Sequence, residues 1–147
     1  MQVALEQLRT ALAFAPAKLG GISEADSELR PGPGKWSKKE ILGHLVDSAA
    51  NNHQRFVRTQ AESLLSFPGY AQEFWVSTQQ YQREPWKALI DLWRSYNTHL
   101  LHVVEQIPHA KLQHQCSVGG AEPVTLEFLI TDYVRHLEHH LRQIFGE

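Results

Sequence analysis

A single cysteine, Cys116, in 147 residues rules out an internal disulfide and any cysteine-rich zinc knuckle. No apolar stretch approaches the roughly 18 unbroken residues of a membrane-spanning helix. The first residues, Met1-Gln2-Val3-Ala4-Leu5-Glu6, show no basic segment followed by an apolar run, so the expected location is cytoplasmic and no membrane partner is expected. Basic charge is not in excess either: 14 Lys and Arg stand against 16 Asp and Glu, a formal net charge of −2. That weighs against a nucleic-acid partner, whose footprint is a concentrated positive patch. With 42% hydrophobic and 20% charged residues the composition is that of a folded globular chain. The length suits one domain, residues 1–147, large enough to bury a core unaided. The unusual feature is nine histidines.

Four helical patterns are separated by segments rich in proline and glycine. Leu5, Leu8, Leu12, Ala15 and Leu19 form one apolar stripe, which Pro16 is expected to kink or cut short. Gly21 to Lys35, with Pro31-Gly32-Pro33-Gly34, reads as a loop. Ser37-Lys38-Lys39-Glu40 is a capping box and opens a second helix running to about Leu65. Pro68-Gly69 begins a long crossover to Glu84, with a short helix around residues 72–78. Pro85 suits the first turn of a third helix, whose seam is Trp86, Leu89, Trp93, Tyr96, Leu100, Val103 and Ile107 before Pro108 stops it. Residues 113–124 carry Gly119-Gly120 between short alternating stretches, a small hairpin pattern. Thr125 then caps a fourth helix to about Phe145. The expected class is all-α, a four-helix bundle whose long crossover sets helices two and three parallel.

The fourth helix has an inward seam of Leu126, Leu129, Tyr133, His136, His140 and Gln143. His136 and His140 lie about 40° apart, one turn from each other. A pair at this spacing serves a metal ion or, equally, a hydrogen-bonded core. The second helix offers a third imidazole: its row of Ile41, His44, Ser48, Asn51 and Arg55 is polar where a bundle seam usually carries Leu or Ile. That pattern fits a lined cavity in which three imidazoles leave positions open for water or substrate. Ser48, Asn51 and Arg55 are then candidate pocket residues, with Tyr133 as a hydrogen-bond donor or simply a packed core residue. Asp47 and Gln143 are candidates to orient an imidazole through its second nitrogen. Glu138 points to the opposite face, and His136-Leu137-Glu138-His139-His140 is not a zinc-protease motif. His53 points away from His44; His99 and His102 read as a surface pair; His109 and His114 fall in a loop; His139 lies off the seam. Cys116 reads as an ordinary free thiol.

These residues also carry a family likeness. Pro33-Gly34-Lys35-Trp36-Ser37, Glu40, His44-Leu45-Val46-Asp47-Ser48, Arg55-Phe56, Pro68-Gly69-Tyr70 to Trp75, Thr125-Leu126, and His136 through Ile144 resemble the DinB/YfiT-like superfamily over essentially the whole chain. The resemblance implies an up-down-down-up bundle, a divalent metal, usually zinc or nickel, held by His44, His136 and His140, and commonly a homodimer. It implies a metal-dependent hydrolase of a small-molecule substrate. The alternative within the enzyme class is a thiol S-transferase using a low-molecular-weight thiol such as bacillithiol, mycothiol or glutathione. A non-catalytic metal-binding dimer and a purely structural bundle are the readings of another kind. Pro16 near the end of the first helix departs from the family pattern.

Overall fold

The computed structural model describes residues 1–147. Four long helices form the bundle: α1 (Gln2–Gly20), α3 (Lys38–Arg58), α5 (Trp86–Glu105) and α6 (Leu126–Phe145). Two short helices, α2 (Glu24–Glu28) and α4 (Gln72–Gln79), lie in the connections. Around the bundle α1 packs on α5, α5 on α3, α3 on α6 and α6 on α1. The Met1 ammonium donates to Glu127 at 3.0 Å, which puts the starts of α1 and α6 together, and Trp86 Nε1 donates to Leu19 O at 3.0 Å, which puts the end of α1 at the start of α5. α1 and α6 therefore run one way and α5 the other.

A three-stranded sheet closes one end. β1 (Leu64–Phe67) pairs in parallel with β2 (Gln115–Val118), in the register Leu65 to Cys116, and β2 pairs antiparallel with β3 (Val124–Thr125). β1 follows α3 and β2 follows α5, so both helices finish at this end and are parallel, and β3 feeds directly into α6. The hairpin expected at residues 113–124 is present as β2 and β3. β1 is the correction: the second helix stops at Arg58, and residues 64–67 form a strand because β2 supplies the ladder partner.

Two further expectations change. Pro16 does not end α1, which continues to Gly20. A proline inside a helix costs about 3 kcal/mol, but Ala15 and Leu19 on either side are fully buried, and burying one Leu side chain alone returns about 1.5–3 kcal/mol. The loop 21–35 contains α2, capped by Ser23, whose side chain accepts from Asp26 N at 3.0 Å.

α2 matters because it anchors the start of α3. Lys39 is buried and pairs with Glu24 and Glu28, while Glu24 Oε2 also accepts from Trp86 N at 2.9 Å. Glu40 completes the capping box by accepting from Ser37 N at 2.8 Å and pairs with Arg30. A buried ammonium and carboxylate held this way fix the first turn of α3, and losing either partner would leave an uncompensated charge. On the next turn Gly43 meets Tyr81, in the 3-10 turn Tyr81–Arg83, so closely that an added Cβ would fall inside the ring's van der Waals envelope. Gly43→Ala should lower unfolding free energy by about 1–3 kcal/mol through overpacking, despite a helix-propensity gain of about 1 kcal/mol; urea unfolding measures the net sign.

Candidate metal centre

α3 and α6 bring three imidazoles to one point. His44 is buried and His136 and His140 are partly so. His136 Nε2 lies 3.1 Å from His44 Nε2 and 3.1 Å from His140 Nε2, and one ligand nitrogen from each ring falls within 4.8 Å of the others. Two nitrogens on one tetrahedral ion, with bonds of about 2.0–2.1 Å, stand roughly 3.3 Å apart. The donor chemistry agrees. His140 Nδ1 donates to Gln143 Oε1 at 2.7 Å, which leaves a lone pair on His140 Nε2. A hydrogen on either remaining Nε2 satisfies one good bond at most, so lone pairs face one another at contact distance. Convergent lone pairs out of water are the donor set of a cation. Gln143 Nε2 is in turn directed at His139 Nε2, at 3.2 Å, which fixes the amide's orientation.

The electrostatics follow from the same burial. Desolvation, reinforced by His136 and His140, lowers His44 from 6.5 to about 3. Desolvation and His140 lower His136 to about 4. His140 is lowered too, mainly by burial, with its bond to Gln143 opposing. All three are therefore neutral near pH 7, the state that binds metal.

The cluster opens at its His140 side into a hollow of about 420 Å³ lined by Pro31, Gly34, Lys35, Trp36, Ile41, Glu73, His140 and Gln143. A second hollow of about 580 Å³ adjoins it and shares Trp36, Ile41 and Gln143. Trp36 packs against His44 with ring centroids 5.1 Å apart and lines both hollows. Trp36 and Glu73 in these roles escaped the reading of helical seams, because both sit in connections whose placement depends on tertiary contacts.

The polar row of α3 is real but shifted. His44, Ser48, Asn52 and Arg55 are buried, whereas Asn51 is only partly so and lines a separate hollow with Ser66, Phe67 and Trp75. Asn51 Nδ2 donates to Asp47 O at 2.9 Å. Tyr133 is in the core: its hydroxyl donates to Asn97 Oδ1 at 2.5 Å and its ring packs edge-on against Phe56, so it does not reach the hollow. Asp47 makes no bond to His44. Its Oδ1 accepts from Tyr81 OH at 2.6 Å and Gln79 Nε2 at 2.7 Å, which hold it towards α4 and the 3-10 turn. Buried Asp47 is also no surface carboxylate. Ser48 accepts a 3.3 Å bond from Asn52, and Arg55 lies under the chain next to Phe67.

The other histidines are dispersed. His53 Nδ1 lies 3.2 Å from Tyr96 OH, with its ring edge-on to His99; His99 and His102 are exposed; His114 Nδ1 donates to Thr59 O at 2.8 Å; His109 is exposed. Cys116 is fully buried.

The fold and the cluster together define a class: a helical bundle with three imidazoles converging from two helices beside an open hollow. The chain belongs to the DinB superfamily, whose family model matches residues 4–144. Among solved structures it is similar to YfiT from Bacillus subtilis, described as a probable metal-dependent hydrolase with an unusual four-helix bundle topology. That likeness has a TM-score of 0.83 at 19% sequence identity and covers 97% of this chain and 84% of the other. No curated protein matches the sequence significantly.

The depressed histidines predict an acid-sensitive metal-free state. His44 and His136 stay neutral in the fold down to about 3 and about 4, whereas the unfolded chain takes up protons near 6.5. Their contribution to stability is full above about pH 6.5 and is lost as pH falls through 6.5 towards those folded values. Thermal unfolding of chelator-treated protein should show Tm falling over that range, with a shallower fall in His44→Gln.

Proposed function

We propose that the chain is a metal-dependent hydrolase acting on a small molecule at the site formed by His44, His136 and His140. The observation that carries this reading is the convergence of three Nε2 atoms at ligand spacing beside a hollow that reaches only one of them, His140. Three protein ligands with an open side are the catalytic arrangement, whereas structural sites close with four. The hollow of about 420 Å³ is within the range of about 300–1,000 Å³ typical of small-molecule sites. Imidazole nitrogens suit zinc or nickel, and such an ion, when bound, lowers the pKa of its water towards about 7 and polarises an oxygen of the substrate. The likeness to YfiT, with its described activity, supports the same class.

The chain's own residues divide the work. Gln143 accepts from His140 Nδ1 and so holds that imidazole in the tautomer that presents Nε2. Trp36 keeps water from the His44 side. Glu73 is the one carboxylate lining the hollow and is placed to take a proton at its mouth, with Lys35 as the opposing charge. In this reading the protein is a cytoplasmic homodimer; no helix is long and apolar enough to cross a membrane.

Elemental analysis of purified protein should find about one equivalent of zinc or nickel. His44→Ala, His136→Ala and His140→Ala should each lose it, and Gln143→Leu should weaken metal affinity by about 10–100-fold. Unchanged metal in the three alanine variants would remove the site. A panel of nitrophenyl esters and amides tests hydrolysis. Turnover of a chlorinated electrophile that depends strictly on bacillithiol, mycothiol or glutathione would move the assignment to a thiol S-transferase.

A further inference from the structure

We propose that Arg55 is the anchor for a carboxylate on the molecule that reacts at the histidine cluster, so that the substrate is an elongated anion. The substrate part of this inference rests on the reading of the cluster as a reactive metal centre; the anion site itself does not.

Arg55 is only 9% exposed and forms no ion pair with any carboxylate. Its one hydrogen bond is long, Nη1 to Asn52 Oδ1 at 3.4 Å, and its Nε is buried with no partner at all. A guanidinium does not escape this by losing its proton. The ring of Phe67, 5.5 Å from Cζ, faces the charge but supplies no acceptor. The other groups beside it are neutral. Burial pushes the Cys116 thiol up, and burial with Asp47 pushes the Tyr70 phenol up. Asp47, the buried carboxylate on the same helix, stands eight residues before Arg55, about 12 Å along the axis; its Oδ1 accepts from Tyr81 and Gln79, and its Oδ2 has no partner. A buried cation surrounded by neutral groups, with its Nε edge unused, is built to receive an anion. That edge with its two parallel N–H groups matches a planar carboxylate.

The position links this site to the cluster. Arg55 is eleven residues beyond His44, a net rotation of about 20° and a rise of roughly 16 Å, so both lie on one face of α3. Ser48 and Asn52, both buried, fill the turns between, and the contact with Asn52 shows the arginine leaning back towards His44. Tyr70 is near this stripe: its hydroxyl feels both Ser48 and the Arg55 charge, and its ring packs on Trp75 at 5.2 Å between centroids. Residues 68–71 that carry it form neither helix nor strand, so displacement of Tyr70 is the route by which a ligand reaches the guanidinium.

The test uses ¹⁵N-labelled, metal-free protein, so that no carboxylate can be held by the cluster. The Nε–H resonance of Arg55 is assigned by its disappearance in Arg55→Lys and followed on titration with hexanoate, hexanamide and hexyl phosphate. The expected result is a saturable shift with hexanoate, affinity for hexanamide weaker by about tenfold or more, and a similar loss of hexanoate affinity in Arg55→Gln. A resonance that hexanoate does not move, or that hexanamide moves equally, overturns the anchor. A stronger response to hexyl phosphate overturns the carboxylate assignment. If Arg55→Gln does not fold, the wild-type titration decides alone. Protein that carries no metal as purified, with a hexanoate shift in the metal-free titration, would sink the hydrolase reading and leave the anchor standing; metal present as purified, with no shift in the metal-free titration, does the reverse.

Discussion

The constraint on which this structure turns is the removal of imidazole from water on the inner face of α3. His44 occupies a position where the packing of a bundle favours Leu, and it is 1% exposed. Its Nδ1 and that of His136 are buried without partners, so the protein part of the cluster is incompletely satisfied in its own right. Buried polar groups left in that state cost free energy, and these two nitrogens belong to the ring edges that face away from the converging Nε2 atoms. Neutral imidazoles whose Nε2 atoms converge at 3.1 Å are a candidate donor set for a cation. The burial that destabilises the protonated rings is the same burial that keeps them ready to bind it.

Such a face can be held only if the start of α3 cannot drift. The reinforcement there is unusually polar for a bundle end: Lys39 with Glu24 and Glu28, Glu40 with Arg30 and the Ser37 amide, and Asp47 with Tyr81 and Gln79. Each ties α3 to a different connecting segment. α2, the segment carrying Trp36, and the turn after α4 are thereby drawn onto the first three turns of the helix. Gly43 permits the closest of these approaches. The two lining residues that come from connections, Trp36 in the segment before α3 and Glu73 in the first turn of α4, owe their positions to this network rather than to the four long helices. At the opposite end the parallel pairing of β1 with β2 fixes where α3 and α5 finish, and β3 starts α6 in register, so His136 and His140 arrive at the height of His44.

How much of this is legible from sequence depends on how local the cause is. The seam of α6 places His136 and His140 correctly because a helix's rotation is a local property, and the capping box at Ser37, the cap at Thr125 and Pro85 mark helix starts for the same reason. Where rotation accumulates over many residues the reading slips: the seam of α3 runs His44, Ser48, Asn52, Arg55, and stepping through Asn51 instead puts one amide in the wrong place. Tyr133 reads as facing a cavity until Asn97, on a helix remote in sequence, claims its hydroxyl. Asp47 stands one turn from His44, yet Tyr81 and Gln79 take it, a competition no spacing rule contains. β1 reads as the tail of a helix because its ladder partner lies some fifty residues on. Pro16 overstates its own effect, since core burial of Ala15 and Leu19 outweighs the local break.

The three imidazoles are not equivalent, and the inequality indicates direction. His44 is covered by Trp36 and is the most strongly shifted; His140 borders the hollow and has its second nitrogen engaged by Gln143. The ring with the poorest access is thus also the one least able to be protonated, while the ring at the mouth is pre-oriented by a neighbour that is itself exposed. The open side of the cluster is therefore at His140, with His136 and His44 behind it. The buried polar stripe then continues past His44 along α3 to Arg55, so one end of the stripe meets the imidazole cluster shared with α6 and the other ends on a cation whose Nε has no partner. A cation at the first end and an anion at the second would satisfy both, and the opposite signs set the polarity of any molecule that bridges them.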